Sequence, residues 1–318
     1  MQSNGIAVEC SVMVCNYCPS WDKLRLTLKS ILMQEDCNFE IVITDDGSED
    51  NLFYEIQDFF YKQGFSKYKL VSSPNNNGTV YNVLQGLNAC VGNLVRPASP
   101  GDFLHGKHVL RDWVDFMHAH TECIMSYCDA IYYHMENGKI VSTKEIAHPQ
   151  YRNISSGEKV LRKYLLCGDI CLGAASMFRR ESWIKYLEMI AGKVIYAEDH
   201  SYRLMIYCGE QFAHVPRSFL LYEYGTGIST SGSSVWAERL NEDWKKANEI
   251  MLSMKPCDEA KRLNVQEFLK IEQKHGWMYR LLRWWICPSR ILFSIRKKLF
   301  PNRTPTQVDK DFVQELLR

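Results

Sequence analysis

Apolar residues along this chain come in two spacings. Short, dense, β-branched runs alternate with longer stretches in which Leu, Ile, Val and aromatic residues return every third or fourth position, the marks of buried strands and of helices with one apolar face. The run at 8–15 reads as a first strand, and Leu24, Leu28, Ile31 and Leu32 put a helix after it. Strands are predicted again at 39–44, 68–73 and 93–96, with helices at 51–62 and 79–90 between them. Such strand–helix–strand order predicts parallel pairing in an α/β sheet. Further on, the pattern predicts a turn at 97–102, a helix at 108–120, and a strand at 123–133 closed by the hairpin turn Asn137-Gly138. A helix at 157–166, a strand at 173–179 running into a helix through Ile190, a helix at 197–207 and a strand at 214–224 follow. Residues 225–234 form a Gly/Ser/Thr loop, and beyond Val235 the pattern is mostly helical.

The end of the second strand is the most informative point. Ile41-Val-Ile-Thr stops at Asp45-Asp46, followed by Gly47-Ser48. A buried strand there delivers two carboxylates to its C-terminal edge, where open α/β sheets bind ligands. An Asp in that position can accept a hydrogen bond from a pyrimidine ring N–H; the structural alternative is an Asp capping the next helix, with Ser48 as the cap.

The segment 11–17, the helix that follows it, Gln34 and the run Phe39-Glu-Ile-Val-Ile-Thr-Asp-Asp-Gly-Ser-Glu-Asp50 resemble the start of a family 2 glycosyltransferase of the GT-A fold. The resemblance extends over about residues 8–230. It implies a Rossmann-like mixed sheet flanked by helices and a nucleotide-sugar donor. Asp45 or Asp46 would hold a uracil ring, and Cys15, Tyr17, Asn77, Asn82, Arg96 and Ser99 would line the donor site. Family members often carry Arg before the helix Asn; here that residue is Tyr81.

The resemblance also implies an Asp-x-Asp at the end of the next strand, where two carboxylates bridge Mn²⁺ or Mg²⁺ to the donor diphosphate. In this chain those two positions are Ser99 and Gly101, and the next acid is Asp102. Asp102 is the expected metal ligand, with phosphate and water oxygens completing the shell; the alternative is a helix cap. Arg96 is expected to turn toward the diphosphate or pair with an acid. Farther along, Ala197-Glu198-Asp199-His200 with Arg203-Leu204 downstream resembles the family's Glu-Asp motif. That match implies inversion, with Asp199 as the base that takes the acceptor proton and Glu198 orienting its surroundings. Acids in a first helical turn also have a structural explanation in the helix dipole. The stretch 225–230 matches a loop that closes over the donor in relatives, and equally a plain linker.

Composition narrows the rest. The 318 residues are 46% hydrophobic with a net charge of +1, which offers no footprint for nucleic acid. Twelve scattered cysteines, many inside apolar runs, read as reduced, buried thiols. Cys15-x-x-Cys18 lacks the second pair a zinc site needs. No P-loop and no Gly-x-Gly-x-x-Gly is present. With no secretory leader and no long uncharged apolar stretch, the expected location is cytoplasmic. Residues 277–300 carry six basic residues, no acids and three tryptophans. This stretch suits a helix lying on the inner face of a membrane; the alternative is a helical appendage packed on the catalytic domain or on a second subunit.

The organisation expected from sequence is therefore a GT-A domain over 1–235 and a helical extension over 236–318. The expected function is an inverting transfer of a sugar, UDP-linked by family resemblance, to a hydroxyl of a glycan or lipid-linked glycan acceptor in surface-polysaccharide synthesis. The alternatives are a nucleotide-sugar or glycan-binding protein without turnover, and a membrane-associated scaffold.

Overall fold

The computed structural model describes residues 7–146, 158–166, 171–225, 234–273, 277–286 and 308–318. Strand β1 (Cys10–Asn16), helix α1 (Trp21–Leu32), strand β2 (Phe39–Asp45), helix α2 (Phe53–Lys62) and strand β3 (Tyr68–Ser72) open the chain. Helix α3 (Thr79–Ala89), strand β4 (Leu94–Ala98), the short strand β5 (Phe103–Leu104) and helix α4 (Val109–Ala119) follow. Strands β6 (Cys123–Glu136) and β7 (Lys139–Ile146) form a hairpin. Its Asn137 and Gly138 both have positive φ, the backbone of a two-residue hairpin turn.

Next come α5 (Glu158–Leu161), which continues as a π turn over Arg162–Leu166, then strand β8 (Ser176–Arg179) and helix α6 (Arg180–Ile190). Helix α7 (His200–Tyr207), strand β9 (Gln211–Glu223) and helices α8 (Ser234–Ser253), α9 (Asp258–Arg262), α10 (Val265–Gln273), α11 (Trp277–Ile286) and α12 (Lys310–Leu317) complete it.

The nine strands form one mixed sheet in the order β3-β2-β1-β4-β8-β6-β9-β5, with β7 beside the far half of β6. The pairs β1/β2, β2/β3, β1/β4 and β6/β9 are parallel, whereas β8 runs antiparallel to both β4 and β6. Helices cover both faces, so the central strands are apolar at nearly every position. In β1, Val12 and Val14 join the core under α1, α2 and α4, and Met13 faces the opposite core under α3, α6 and α7. Val42 in β2 falls on Met13's face, and Ile41 and Ile43 fall on the other.

Some elements differ from the pattern-based expectation: the strand expected from Gly173 begins only at Ser176, after a 3-10 turn over Gly173–Ala175. β4 continues through Pro97 to Ala98, although Pro97 marks a turn in the sequence. β8 flanks β4 only at Leu94 and Val95, so the proline sits where that neighbour has ended. Glu198 and Asp199 lie in a turn ahead of α7 rather than inside the helix, with Asp199 at its N-cap.

The helices after 235 share the main core. Ala247, Ile250 and Met251 of α8 and Phe268 and Leu269 of α10 pack with residues of α3, α6 and α7. At the other edge, Phe312 and Leu316 of α12 are buried, and Leu316 packs with Phe103, Ile131 and Leu221. Among the described residues no helix is long and apolar enough to cross a membrane. The ten described cysteines form no disulfide.

Candidate active site

A cavity of about 1460 Å³ opens at the C-terminal ends of the parallel strands, and residues of α8 also line it. Cys15, Tyr17, Asp46, Asn82, Ser99, Asp102, Glu198 and Asp199 all line it. Asp45, Asn77 and Arg96 do not.

The two strand-end acids divide their work. Asp45 accepts from the Ser48 N–H at 2.8 Å and from the Ser48 hydroxyl at 2.5 Å, so it caps the turn behind the strand. Asp46 faces the cavity and accepts from the N–H groups of Asn77 and Gly78 at 2.9 and 2.8 Å. Burial pushes its carboxyl up, and those two donors pull against that. Gly78 is required here: its φ is +93°, and a Cβ would fall 2.6 Å from the Ile195 carbonyl oxygen. The Val80 N–H donates to that same oxygen at 3.0 Å, fastening the loop before α3 to the segment before Glu198. Asn82 reaches back to the Asn16 carbonyl at 3.1 Å.

Glu198 and Asp199, neighbours in the chain, both line the cavity, and the charge of Asp199 raises the cost of ionising Glu198. Burial, and then the Asp199 charge, push the Glu198 carboxyl up to about 8. Burial also raises Asp199, but the Arg203 guanidinium opposes it. Asp199 thus has a cation opposing its rise that Glu198 lacks, which favours placing the pair's negative charge on Asp199.

Their neighbours order the cavity. The Cys15 thiol, pushed up to about 12 chiefly by burial, feels both Asp46 and Glu198. Asp199 instead feels Arg203 and Asp243, on the side of α8.

At the expected Asp-x-Asp positions the backbone explains the departure. Gly101 stands at φ +102°, and a Cβ there would meet the Glu223 carboxylate at 2.9 Å. Glu223 is ion-paired with Lys23 Nζ at 2.7 Å. Asp102 accepts from the Ser99 N–H at 2.9 Å and does not cap α4. Burial pushes its carboxyl up to about 6, against the pull of Arg96. Arg96 is fully buried beneath the site; its Nη2 donates to the Ala174 carbonyl at 3.2 Å, and its Nε and Nη1 have no hydrogen-bond partner among the described residues. Among those residues no three acidic, His or Cys side chains converge as a ready metal cage. One hard carboxylate on the cavity wall still suits Mg²⁺ or Mn²⁺, whose remaining ligands are ordinarily phosphate and water oxygens.

Three groups of lining residues escape sequence reasoning. Asn16 is buried on the cavity wall with both amide atoms unpartnered among the described residues. Its only signal was its place at the end of β1. Lys23 sits in the first turn of α1, where its basic side chain reads as surface. Trp236, Arg239 and Trp244 of α8 lie beyond the expected domain boundary. The closing loop expected at 225–230 falls almost entirely outside the described residues.

A parallel half-sheet with acids at its C-terminal edge, and a second acid pair lining the same cavity, defines the GT-A class of nucleotide-sugar glycosyltransferases. Residues 11–187 match the model of Glycosyl transferase family 2, and the chain belongs to that family. No curated protein gives a significant sequence match. Among solved structures, S. aureus TarS 1-349 in complex with UDP-GlcNAc is similar, with 17% identity and a TM-score of 0.58 over 81% of this chain and 70% of that one. The mannosyltransferase PcManGT from Pyrobaculum calidifontis, in complex with GDP-Man and Mn²⁺, has 15% identity and a TM-score of 0.58 over 97% of this chain and 85% of that one. Against the longer TarS structure the TM-score is 0.56 at 16% identity, over 83% of this chain and 42% of that one, so the chain matches less than half of its length.

Proposed function

We propose that this glycosyltransferase moves a sugar from a UDP-sugar, with inversion, to a hydroxyl of a glycan or lipid-linked glycan acceptor in surface-polysaccharide synthesis. The observation that carries the reading is that Asp46 and the Glu198–Asp199 pair line one cavity. Asp46 would hold the base with Asn16, Tyr17 and Asn82 around it. The uridine nucleotides in the similar TarS structures support that choice.

In a single displacement, the acceptor oxygen bonds to the anomeric carbon as the bond from that carbon to the diphosphate oxygen breaks. The acceptor proton passes to Asp199, and the nucleoside diphosphate leaves with the electron pair. One in-line displacement gives one inverted centre. Glu198, protonated beside it, would donate a hydrogen bond and keep a second negative charge away from the acceptor. A divalent cation held at Asp102 would neutralise charge on the leaving diphosphate.

Residues 277–300 are proposed to rest on the inner face of the membrane, in keeping with a lipid-linked acceptor. Trp277 and Trp285 of α11 are 72% and 86% exposed, as a face that enters the headgroup layer requires. Residues 287–300 lie outside the described residues.

A second reading, a nucleotide-sugar binder without turnover, draws on Ser99 and Gly101 at the acid positions. Thermal shift with UDP-, GDP- and dTDP-sugars, each with and without Mn²⁺, followed by Asp199→Asn, separates the two. The transferase reading expects a UDP-sugar shift in both proteins and transfer in the wild type only. Transfer unchanged in Asp199→Asn removes the base assignment, and no shift with any donor removes the reading altogether.

A further inference from the structure

One face of α8, outside the residues that match the family, lines part of the cavity. Trp236, Arg239, Leu240 and Trp244 recur at helical spacing and all line the cavity. The Trp236 ring meets the Tyr196 ring edge-on at 5.1 Å. The Arg239 guanidinium lies over both rings, 5.1 Å from Trp236 and 5.4 Å from Tyr196. Arg239 is exposed and makes no ion pair with an acid among the described residues. Farther along the same face, Arg203 lies over Trp244 at 5.7 Å and pairs with Glu272 at 3.4 Å. That arginine is already matched, whereas Arg239 is not.

This wall is in register with the acid pair. Asp243, on the same helix, accepts the N–H groups of Ile195, Tyr196 and Ala197 at 3.0, 2.6 and 3.1 Å. Tyr196 is two residues before Glu198, so the aromatic wall and the proposed base are held by one clamp.

We propose that Trp236, Tyr196 and Arg239 form the acceptor subsite, and that it takes a sugar carrying an oxyanion, a phosphate or a carboxylate, beside its ring. Aromatic rings offer an apolar platform to the C–H face of a sugar. Two rings pack against the guanidinium and hold it in place, leaving its N–H edge to pair with an oxyanion. The assignment rests on the reading of Glu198–Asp199 as the site of proton transfer. It places the acceptor on the Asp199 side of the pair and the donor on the Asp46 side.

The test uses the full chain with UDP at saturation and three probes read by saturation-transfer NMR: glucose 1-phosphate, glucuronic acid and methyl glucoside. At least one anionic probe is expected to bind about tenfold more tightly than methyl glucoside, as one charge-assisted pair provides. Arg239→Gln is expected to abolish that preference while leaving the UDP Kd within about twofold, since its contacts lie elsewhere. Trp236→Leu is expected to weaken all three probes. Preference for glucose 1-phosphate alone points to a phosphate-linked acceptor, and preference for glucuronic acid alone to an acidic sugar; both support the subsite. Equal binding of neutral and anionic probes overturns it. So does loss of UDP affinity in Arg239→Gln matching the loss of probe affinity, which would assign the arginine to the donor diphosphate. Failure of the wild type to bind UDP is a different result and strikes the donor reading instead.

Discussion

The Asp243 carboxylate accepts the Tyr196 backbone N–H at 2.6 Å, across a sequence separation of 47 residues. With the N–H groups of Ile195 and Ala197 it completes a three-donor cap, and Asp243 itself is buried. A helix from the C-terminal part of the chain thus fixes the backbone just ahead of the acid pair.

Replacing Asp243 with Ala leaves three backbone donors without their acceptor. Each buried, unmade hydrogen bond costs about 1–3 kcal/mol, so a loss of about 3 kcal/mol or more is expected on urea unfolding. Asp243→Asn keeps one acceptor oxygen and should fall between the two proteins. A change for Asp243→Ala below about 1 kcal/mol, the scale of one surface pair, would show that the clamp is dispensable.

Gly78→Ala adds a methyl group against the Ile195 carbonyl oxygen at a backbone φ of +93°. The expected cost is about 1–3 kcal/mol from the backbone conformation alone, with the clash on top. UDP affinity should weaken as well, because the Gly78 N–H holds Asp46. Gly64 provides the control: its φ is +66°, and a Cβ added there would meet nothing within 4 Å. Gly64→Ala should carry only the backbone penalty of about 1–2 kcal/mol and leave UDP binding unchanged.

Glu198 gives stability a pH dependence of defined sign. Its carboxyl is raised from 4.5 to about 8 in the folded protein, so between those values the folded state binds more protons than the unfolded one. Its contribution is fully present below the lower value and is lost as pH rises through the upper one. Glu198→Gln removes that proton-binding group. The variant should gain stability relative to wild type as pH rises from 5 to 8, as seen in thermal midpoints across a buffer series. Parallel midpoints for the two proteins across the series would contradict the raised carboxyl.

Asp102→Asn tests the cation. In wild type, Mn²⁺ is expected to tighten UDP binding and EDTA to reverse the gain. The variant should bind UDP with nearly the same affinity with or without Mn²⁺, as read by titration calorimetry. A variant that responds to Mn²⁺ as the wild type does would remove Asp102 from the coordination shell.

Much of the donor half was legible in the sequence. The run into Asp45-Asp46 and the helical spacing after it follow from local pattern, because a strand buried on both faces must be apolar throughout and its first polar residues mark its exit. Which acid faces the cavity was not legible. Adjacent residues on a strand point to opposite faces, and only the turn at Gly47-Ser48 and the loop at 77–78 decide which acid is taken by a cap. Arg96 shows the same limit. A basic residue late in a strand looks like a ligand for phosphate, yet its position beneath β4's exit buries it away from the cavity.

Alone, the sequence determined the order of strands and helices, the parallel first half of the sheet and the acids at its edge, since these depend on local periodicity and on the reach of short connections. The tertiary structure alone decided how the cavity closes. α8 packs against α6, α7 and α10, with Ala247, Ile250 and Met251 buried in the same core as α3, α6 and α7. That long-range burial brings Trp236 and Arg239 to the cavity and Asp243 to the backbone before the acid pair, although 37 positions separate Asp199 from Trp236. No local pattern encodes such a meeting, because its stabilisation comes from removing apolar surface from water between segments distant in the chain.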